Sequence, residues 1–193
     1  MELEKSIFFT FNNMDCEFRT IHETDVNQHY IDGLNQQMEY IENISSNVSV
    51  QTQKKYIKDI LSSKNNTISG LFINGKMVGT AGVQQSLSKS FLRNIDANVE
   101  KLTTIGIFIF YKKFRGIGIG KIIVWAATYL FYKCTKVEWF GAGMEIENTP
   151  SYKSFLSCGY KNVAKNSKYF KVLINVKELK KPITINDVSI QKI

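Results

Sequence analysis

The chain has 193 residues, 44% of them hydrophobic and 12% aromatic, with a formal net charge of +8. That length suits one domain with a sizeable core, and that apolar content excludes a disordered polypeptide. No apolar run approaches the ~20 residues that span a bilayer. The acidic start MELEKSIFF also has the wrong order for a signal peptide, so a cytoplasmic protein with no membrane span is expected.

Cys16, Cys134 and Cys158 are widely spaced and form no CxxC pair, which reads as reduced, buried thiols and no metal site. The charge is uneven. Residues 1–100 hold 9 Lys+Arg against 12 Asp+Glu, whereas residues 101–193 hold 16 against 5. The basic half suits a phosphate-bearing ligand or, as readily, a solvated lysine-rich surface. No aromatic-basic stripe or known motif points to nucleic acid.

In chain order, residues 6–12 and 16–21 read as short strands joined by Asn13-Met14-Asp15. Thr24-Asp25 marks a helix start, with Val26, Tyr30 and Leu34 along one face. A second helix over 51–61 presents Tyr56, Ile57, Ile60 and Leu61 as its apolar stripe. Between the alternating runs 67–73 and 76–83, Asn74-Gly75 is the signature of a hairpin with a type I′ turn. The polar stretch 84–101 reads as a longer loop.

Residues 102–111 (LTTIGIFIFY) have the β-branched and aromatic content of a central strand. After a glycine-rich turn, Ile119, Ile122, Ile123, Ala126, Ala127, Leu130 and Phe131 recur at helical spacing. Residues 137–142 form a short strand. Thr149-Pro150 supplies a helix cap and first-turn proline, and Gly159 the stop. Residues 168–176 make a last strand, so the domain is taken as 1–176, with a basic C-terminal extension over 177–193.

A strand, a glycine-rich turn and an amphipathic helix together form a phosphate-binding device. Glycines let successive N–H groups point at one anion, and the helix start adds partial positive charge. The turn Arg115-Gly116-Ile117-Gly118-Ile119-Gly120 fits neither common nucleotide fingerprint. A Walker A loop ending at Gly120-Lys121 would need glycine at Arg115 and Ser or Thr at Ile122. The dinucleotide pattern would need its third glycine at Lys121 or Ile123. What remains is R-x-x-G-x-G.

This pattern resembles the coenzyme A signature of the GNAT N-acetyltransferases, Q/R-x-x-G-x-G/A. Its context matches too: the preceding strand, the following helix, then Asn148-Thr149-Pro150-Ser151 and Gly159-Tyr160. The likeness covers residues 18–176 and is firmest over 102–163. It implies an α/β (α+β) fold with a mixed, mostly antiparallel twisted sheet of about seven strands, splayed between strands 4 and 5, and about four flanking helices. It also implies acetyl-coenzyme A as co-substrate, with no metal.

By the same match the main chain of Phe108, Ile109 and Phe110 would hold the pantetheine arm, in a slot between strands 102–111 and 137–142. The N–H groups of Arg115, Gly116, Ile117, Gly118, Ile119, Gly120 and Lys121 would hold the pyrophosphate. Asn148 would contact the pantetheine or a water, and the N–H near Phe110 would stabilise the oxyanion.

The usual catalytic groups are missing: Thr104 stands at the family's strand-4 glutamate and Phe155 at its tyrosine acid. The substitutes are Ser151, one turn before Phe155 and equally readable as a capping hydroxyl, Tyr152, and Glu145 or Glu147 acting through water. His22 and His29 lie in the acceptor-side half and read as structural or surface residues.

Arg19, Glu23, Asp25, Tyr30–Asn35 and Lys54–Ile57 resemble acetyltransferases of amino-sugar nucleotides and the ribosomal-protein N-terminal type. The expected acceptor is a small-molecule primary amine on a nucleotide-linked sugar. A protein N-terminus, or a degenerate acetyl-coenzyme A binder, is the alternative, and a homodimer is left open.

Overall fold

The structure, a computed structural model, describes residues 1–36, 48–87, 91–92, 99 and 101–192, and for residues 86 and 87 the main chain alone. Strands β1 (Lys5–Phe11) and β2 (Met14–Thr20) form the first hairpin. Its turn is Asn12-Asn13, with φ of 49° and 59°, two residues that tolerate the left-handed region. It therefore lies ahead of the expected Asn13-Met14-Asp15, and Met14 already pairs with Phe11.

Helix α1 (Gln28–Asn35) starts later than Thr24-Asp25, because the Asn27 side chain caps it by accepting from the Tyr30 N–H. Glu23–Asp25 form a single 3₁₀ turn ahead of it. Helix α2 (Val50–Ser62) opens on a reciprocal Ser49–Thr52 cap. It buries Ile57 and leaves Tyr56 half exposed, so its stripe is narrower than expected.

Strands β3 (Asn66–Ile73) and β4 (Lys76–Leu87) turn through Asn74 (φ 47°) and Gly75 (φ 76°), the type I′ geometry read from the sequence. Most of the expected loop over 84–101 lies outside the described residues; β4 itself runs on to Leu87. Then follow β5 (Lys101–Ile109), α3 (Ile119–Thr135), β6 (Trp139–Glu145), α4 (Thr149–Ser157), β7 (Lys161–Lys165), β8 (Tyr169–Asn175) and β9 (Ile185–Lys192).

These strands form one sheet in the order β7-β8-β6-β5-β4-β3-β2-β1-β9, antiparallel except at β5–β6. The described sheet has nine strands, where about seven were expected. The two extra ones are its edges: β7 is short and lysine-flanked, and β9, from the basic extension, pairs with β1. Edge strands carry charge and little apolar pattern because exposure there protects against mispairing, and this hides them from a hydrophobic reading.

Helices α3 and α4 cover one face of the sheet, and α1 and α2 the other. All seven residues of the expected α3 stripe are buried at 2% exposure or less. Each buried Ile, Leu or Phe among them stabilises the fold by about 1.5–3 kcal/mol, and each Ala by less. Val124, Trp125 and Thr128 on the helix's other side are buried as well, and Trp125 lines a shallow pocket with Val176, Leu179 and Val188. All three cysteines are free; Cys16 and Cys158 are buried and Cys134 partly so. Burial pushes the Cys16 thiol up to about 11 and Cys158 up to about 12, so neither is a ready thiolate.

Helix α4 ends in a Schellman motif, with Gly159 N–H donating to Leu156 and Tyr160 N–H to Phe155. Gly159 sits at φ +96°, and an added Cβ would lie 2.6 Å from the Glu178 carbonyl oxygen. Gly75 has the same sign of φ (+76°) with nothing described within 4 Å. Gly159→Ala is therefore expected to lose about 2–4 kcal/mol, from backbone strain plus a clash, and Gly75→Ala about 1–2 kcal/mol from strain alone. Urea unfolding of the two variants checks the difference.

Candidate active site

The site begins where the sheet comes apart. β5 pairs with β4 along its whole length, but with β6 only at Thr103–Phe140 and Thr104–Gly141. Beyond those two pairs both strands continue, to Ile109 and Glu145, without a ladder between them. Phe110 N–H donates to Val78 O at 3.0 Å, which fixes the parity of the β4–β5 ladder. In an antiparallel ladder alternate residues turn their polar groups to opposite sides. Phe108 and Phe110 therefore bond to β4, Ile105 N–H belongs to the last β5–β6 rung, on Gly141, and the C=O of Ile105 with the main chains of Ile107 and Ile109 face the opening.

Of Phe108, Ile109 and Phe110, only Ile109 turns its polar groups to the slot. The donor "near Phe110" is accordingly Ile109 N–H, since that of Phe110 is already used.

The glycine turn closes the same end. Gly116 (φ 76°) and Gly118 (φ 100°) hold left-handed conformations, and Gly118 is the N-cap of α3 with no side chain to cap it. Arg115 N–H donates to Lys112 O at 3.0 Å, so its main chain serves the preceding 3₁₀ turn. Among the described residues and outside regular elements, no main-chain acceptor takes the N–H groups of Gly116, Ile117 or Gly118, and Ile119, Gly120 and Lys121 begin the helix, where N–H groups lack an intrahelical partner. Six consecutive donors thus sit at the positive end of a 17-residue helix. Lys112, Lys113 and Arg115 are exposed beside them.

Helix α4 starts at the same mouth, after β6. Asn148, not Thr149, caps it by accepting from Ser151 N–H at 3.2 Å, and Pro150 lies in the first turn. A Cβ on Gly120 would lie 2.6 Å from Ser154 Oγ, so the missing side chain lets the start of α3 pack closely against the middle of α4.

No protein-family model and no curated protein matches the sequence. Solved structures do match its fold. RimJ of Mycobacterium smegmatis, in complex with CoA-disulfide, aligns at TM-score 0.69 and 12% identity over 94% of this chain and 92% of that one. The aminoglycoside acetyltransferase AAC(6')-Ib, in complex with ribostamycin and coenzyme A, aligns at TM-score 0.67 and 14% identity over 84% and 94%. A GNAT-family acetyltransferase from Streptococcus pneumoniae gives 0.62 and 13% over 83% and 99%.

The chain has the GNAT fold.

Within that fold the expected catalytic positions can be located. Thr104 lies at the last β5–β6 pair, its hydroxyl donating to Gln84 O at 3.3 Å. Phe155 is buried at 1% exposure, edge-on to Tyr160 at 4.9 Å, and is a core residue. Ser151 sits in the first turn of α4, half-buried, with no hydrogen bond from its Oγ among the described residues. The Tyr152 ring stacks on Phe170 at 4.2 Å, which holds it over β8, one strand beyond β6. Glu145 is exposed at the end of β6, opposite Tyr169. The structure thus brings Ser151 to the mouth, and Tyr152 away from it. Among the described residues no group of three or more His, Cys, Asp or Glu forms a metal site, and no helix is long and apolar enough to cross a membrane.

On the opposite face of the sheet, two glycines beside the slot are uncovered among the described residues. Gly82 and Gly106 are direct partners on β4 and β5, both exposed, and a Cβ on either would meet nothing described within 4 Å. Next to this area, α1 closes on Phe110 so tightly that a Cβ on Gly33 would lie 2.7 Å from its ring. Sequence reasoning missed one polar cluster here. Tyr111, just past β5, hydrogen-bonds His29 of α1, 82 residues earlier, and only the fold brings them together.

Helix α1 is held by the turn before it. Arg19 grips Asp25 through two hydrogen bonds of 2.7 and 2.8 Å and lies 4.1 Å over the Phe72 ring. Burial alone raises the Asp25 carboxyl, but the Arg19 guanidinium and the His22 N–H outweigh it and hold the group below the usual carboxylate range. A depressed folded value means the pair stabilises fully above the ordinary aspartate pKa of ~3.9, and the contribution is lost as pH falls through the folded value. Wild-type stability should therefore drop more steeply below pH ~4 than that of Asp25→Asn. Urea unfolding across pH 2–6 measures both.

Proposed function

We propose that this chain transfers acetyl from acetyl-coenzyme A to a primary amine, with the amine of a nucleotide-linked amino sugar as acceptor. The observation that carries the reading is the parted β5–β6 edge beside six N–H groups with no partner among the described residues. One feature suits a pantetheine amide chain, the other a pyrophosphate, and they lie as neighbours at one mouth. Neighbours of the same fold hold coenzyme A or its disulfide, which supports the cofactor.

In this reading the pantetheine adds to the free edge of β5 as an extra strand would, pairing with the main-chain groups of Ile107 and Ile109 other than Ile109 N–H, which is left to the thioester oxygen. The N–H groups of Gly116 to Lys121 hold the pyrophosphate, with Lys112, Lys113, Arg115 and Lys121 supplying charge. Asn148 acts through its cap, which fixes the start of α4.

The amine approaches over Gly82 and Gly106, loses a proton, and attacks the thioester carbonyl. The N–C bond forms as the carbonyl π electrons move to oxygen, where Ile109 N–H stabilises the charge. Collapse breaks the C–S bond as Ser151 Oγ–H gives its proton to the leaving thiolate and takes one from the adduct's nitrogen, which restores the hydroxyl and leaves a neutral amide. Holding both reactants in one geometry supplies much of the acceleration, so the absence of carboxylate and tyrosine at 104 and 155 does not forbid turnover.

The AAC(6')-Ib neighbour holds an aminoglycoside, which supports a ring-borne amine. The basic half of the chain suits the diphosphate of a sugar nucleotide.

Thiol release from acetyl-coenzyme A, measured against a panel of nucleotide-linked amino sugars and N-terminal peptides, tests the reading. Turnover on the sugars is expected. Efficient peptide modification with none on the sugars would replace the acceptor, and no acceptor-dependent thiol release on either would make the chain a coenzyme A binder. Ser151→Ala should lower kcat about tenfold and leave the KM for acetyl-coenzyme A unchanged, the signature of an interaction made during reaction and not in binding.

A further inference from the structure

The C-terminal extension has no part in the mechanism above, yet it builds one wall of a cavity. From β8 the chain passes through a 3₁₀ turn (Val176–Glu178) to β9 at the far edge of the sheet, over the outer side of α3. The segment is pinned on the way. Val176 N–H donates to Glu138 O at 2.8 Å, Lys180 N–H to Cys158 O at 3.0 Å and Ile185 N–H to Pro182 O at 3.1 Å. Pro182 and Ile185 are buried, so this wall is fixed before any ligand arrives.

Between the segment and α3 lies a cavity of about 370 Å³, a volume usual for small-molecule sites. Its α3 wall is aromatic. Trp125, Tyr129 and Tyr132 fall at i, i+4 and i+7 along one side of the helix. Trp125 stacks on Tyr129 at 5.4 Å, and Phe9 of β1 meets it edge-on at 5.9 Å. Val176, Leu179 and Val188 supply an aliphatic wall, and Lys181 is the one charged residue in the described lining.

Two groups in this lining call for a negative partner. Trp125 is only 3% exposed, yet its indole N–H has no acceptor among the described residues and is not sealed from solvent. A buried indole N–H is normally paired, and it can only donate. Lys181 likewise forms no ion pair among the described residues. Aromatic walls alone would suit a cation as well. Here no carboxylate is in the described lining, and the rings already carry cations: Lys133 Nζ lies 5.2 Å from the Tyr129 centroid and Lys136 Nζ 5.6 Å from that of Tyr132. A further cation would be repelled.

We propose that the C-terminal extension and the outer side of α3 form a second ligand site, which takes a planar aromatic anion. The ring lies between the aromatic and aliphatic walls. Its carboxylate or phosphate oxygen accepts from the Trp125 N–H and pairs with the Lys181 ammonium. The site is independent of the acetyltransferase reading, since none of its residues belongs to the slot or the glycine turn.

Calorimetric titration of the full chain with naphthoate and with adenosine monophosphate tests the site, with uncharged naphthalenemethanol as the control. Both anions should bind saturably, and naphthalenemethanol about tenfold more weakly than naphthoate. Lys181→Met, at an exposed position, should weaken both anions about tenfold and leave the uncharged probe unchanged. Trp125→Phe keeps an aromatic ring but removes the N–H, and should weaken the anions by a similar factor. Binding of naphthoate alone would mark the ligand as an aromatic carboxylate, and tighter binding of the nucleotide would mark it as a nucleoside phosphate. Either upholds the site.

No saturable binding of either anion at ~10 mM would overturn it. Equal affinity for naphthoate and naphthalenemethanol, or anion binding that Lys181→Met leaves unchanged, would overturn it too. Dimerisation of the chain across this face, excluding both anions, would show that a second copy is the occupant instead.

Discussion

Every part of this site depends on a ladder that stops after two pairs. Backbone N–H and C=O groups inside a folded protein are almost always paired, and leaving them unpaired is costly. β5 and β6 nevertheless separate after Thr104–Gly141, and the Ile105 carbonyl and the polar groups of Ile107 and Ile109 face the gap. Such an edge persists only because the strands are held from their far sides, β5 by β4 over nine residue pairs and β6 by β8 over seven. The rest of the sheet is the clamp that keeps the slot open.

The parting also aims two helices. β5 and β6 run parallel, so the chain leaves both at the same end, and α3 and α4 both begin there. Their N-terminal dipole ends converge on the mouth, and the contact between Gly120 and Ser154 sets how closely the two helices approach. Charge follows the same logic: the exposed Lys112, Lys113 and Arg115 precede the turn, and the acidic residues of the first half lie mostly on other elements. On the other face α1 lies against Phe110 through Gly33 and is fixed through the Arg19–Asp25 pair, so the wall that carries His29 is positioned by groups well away from the slot.

Much of this was legible because it is written in local chemistry. Apolar spacing gave α3, whose stripe residues are all buried. Asn74-Gly75 gave a hairpin of the right turn type, and Gly159 gave a helix stop. Gly116 and Gly118 proved to be glycines because of their positive φ. What the sequence could not carry is parity and distance. It pointed to Phe108 and Phe110 along with Ile109, because a one-residue change of ladder phase is invisible without knowing where β4 bonds. It offered Tyr152 as a catalytic group, and only tertiary packing puts that ring on Phe170. It treated His22 and His29 alike, although His29 alone gains a partner 82 residues away. The edge strands β7 and β9 were missed for the opposite reason: their polar, charged character is what an edge needs.

The central claim is that the odd-numbered main chain of β5 and the Gly116–Lys121 turn receive one extended, phosphate-bearing ligand. Amide hydrogen exchange resolved by residue, with and without acetyl-coenzyme A, tests it most directly. The account predicts slowed exchange at Ile107, Ile109 and the amides from Gly116 to Lys121, with little change at Phe108 and Phe110, which β4 already protects. Exchange at Ile107 and Ile109 that is unchanged by saturating acetyl-coenzyme A would contradict it.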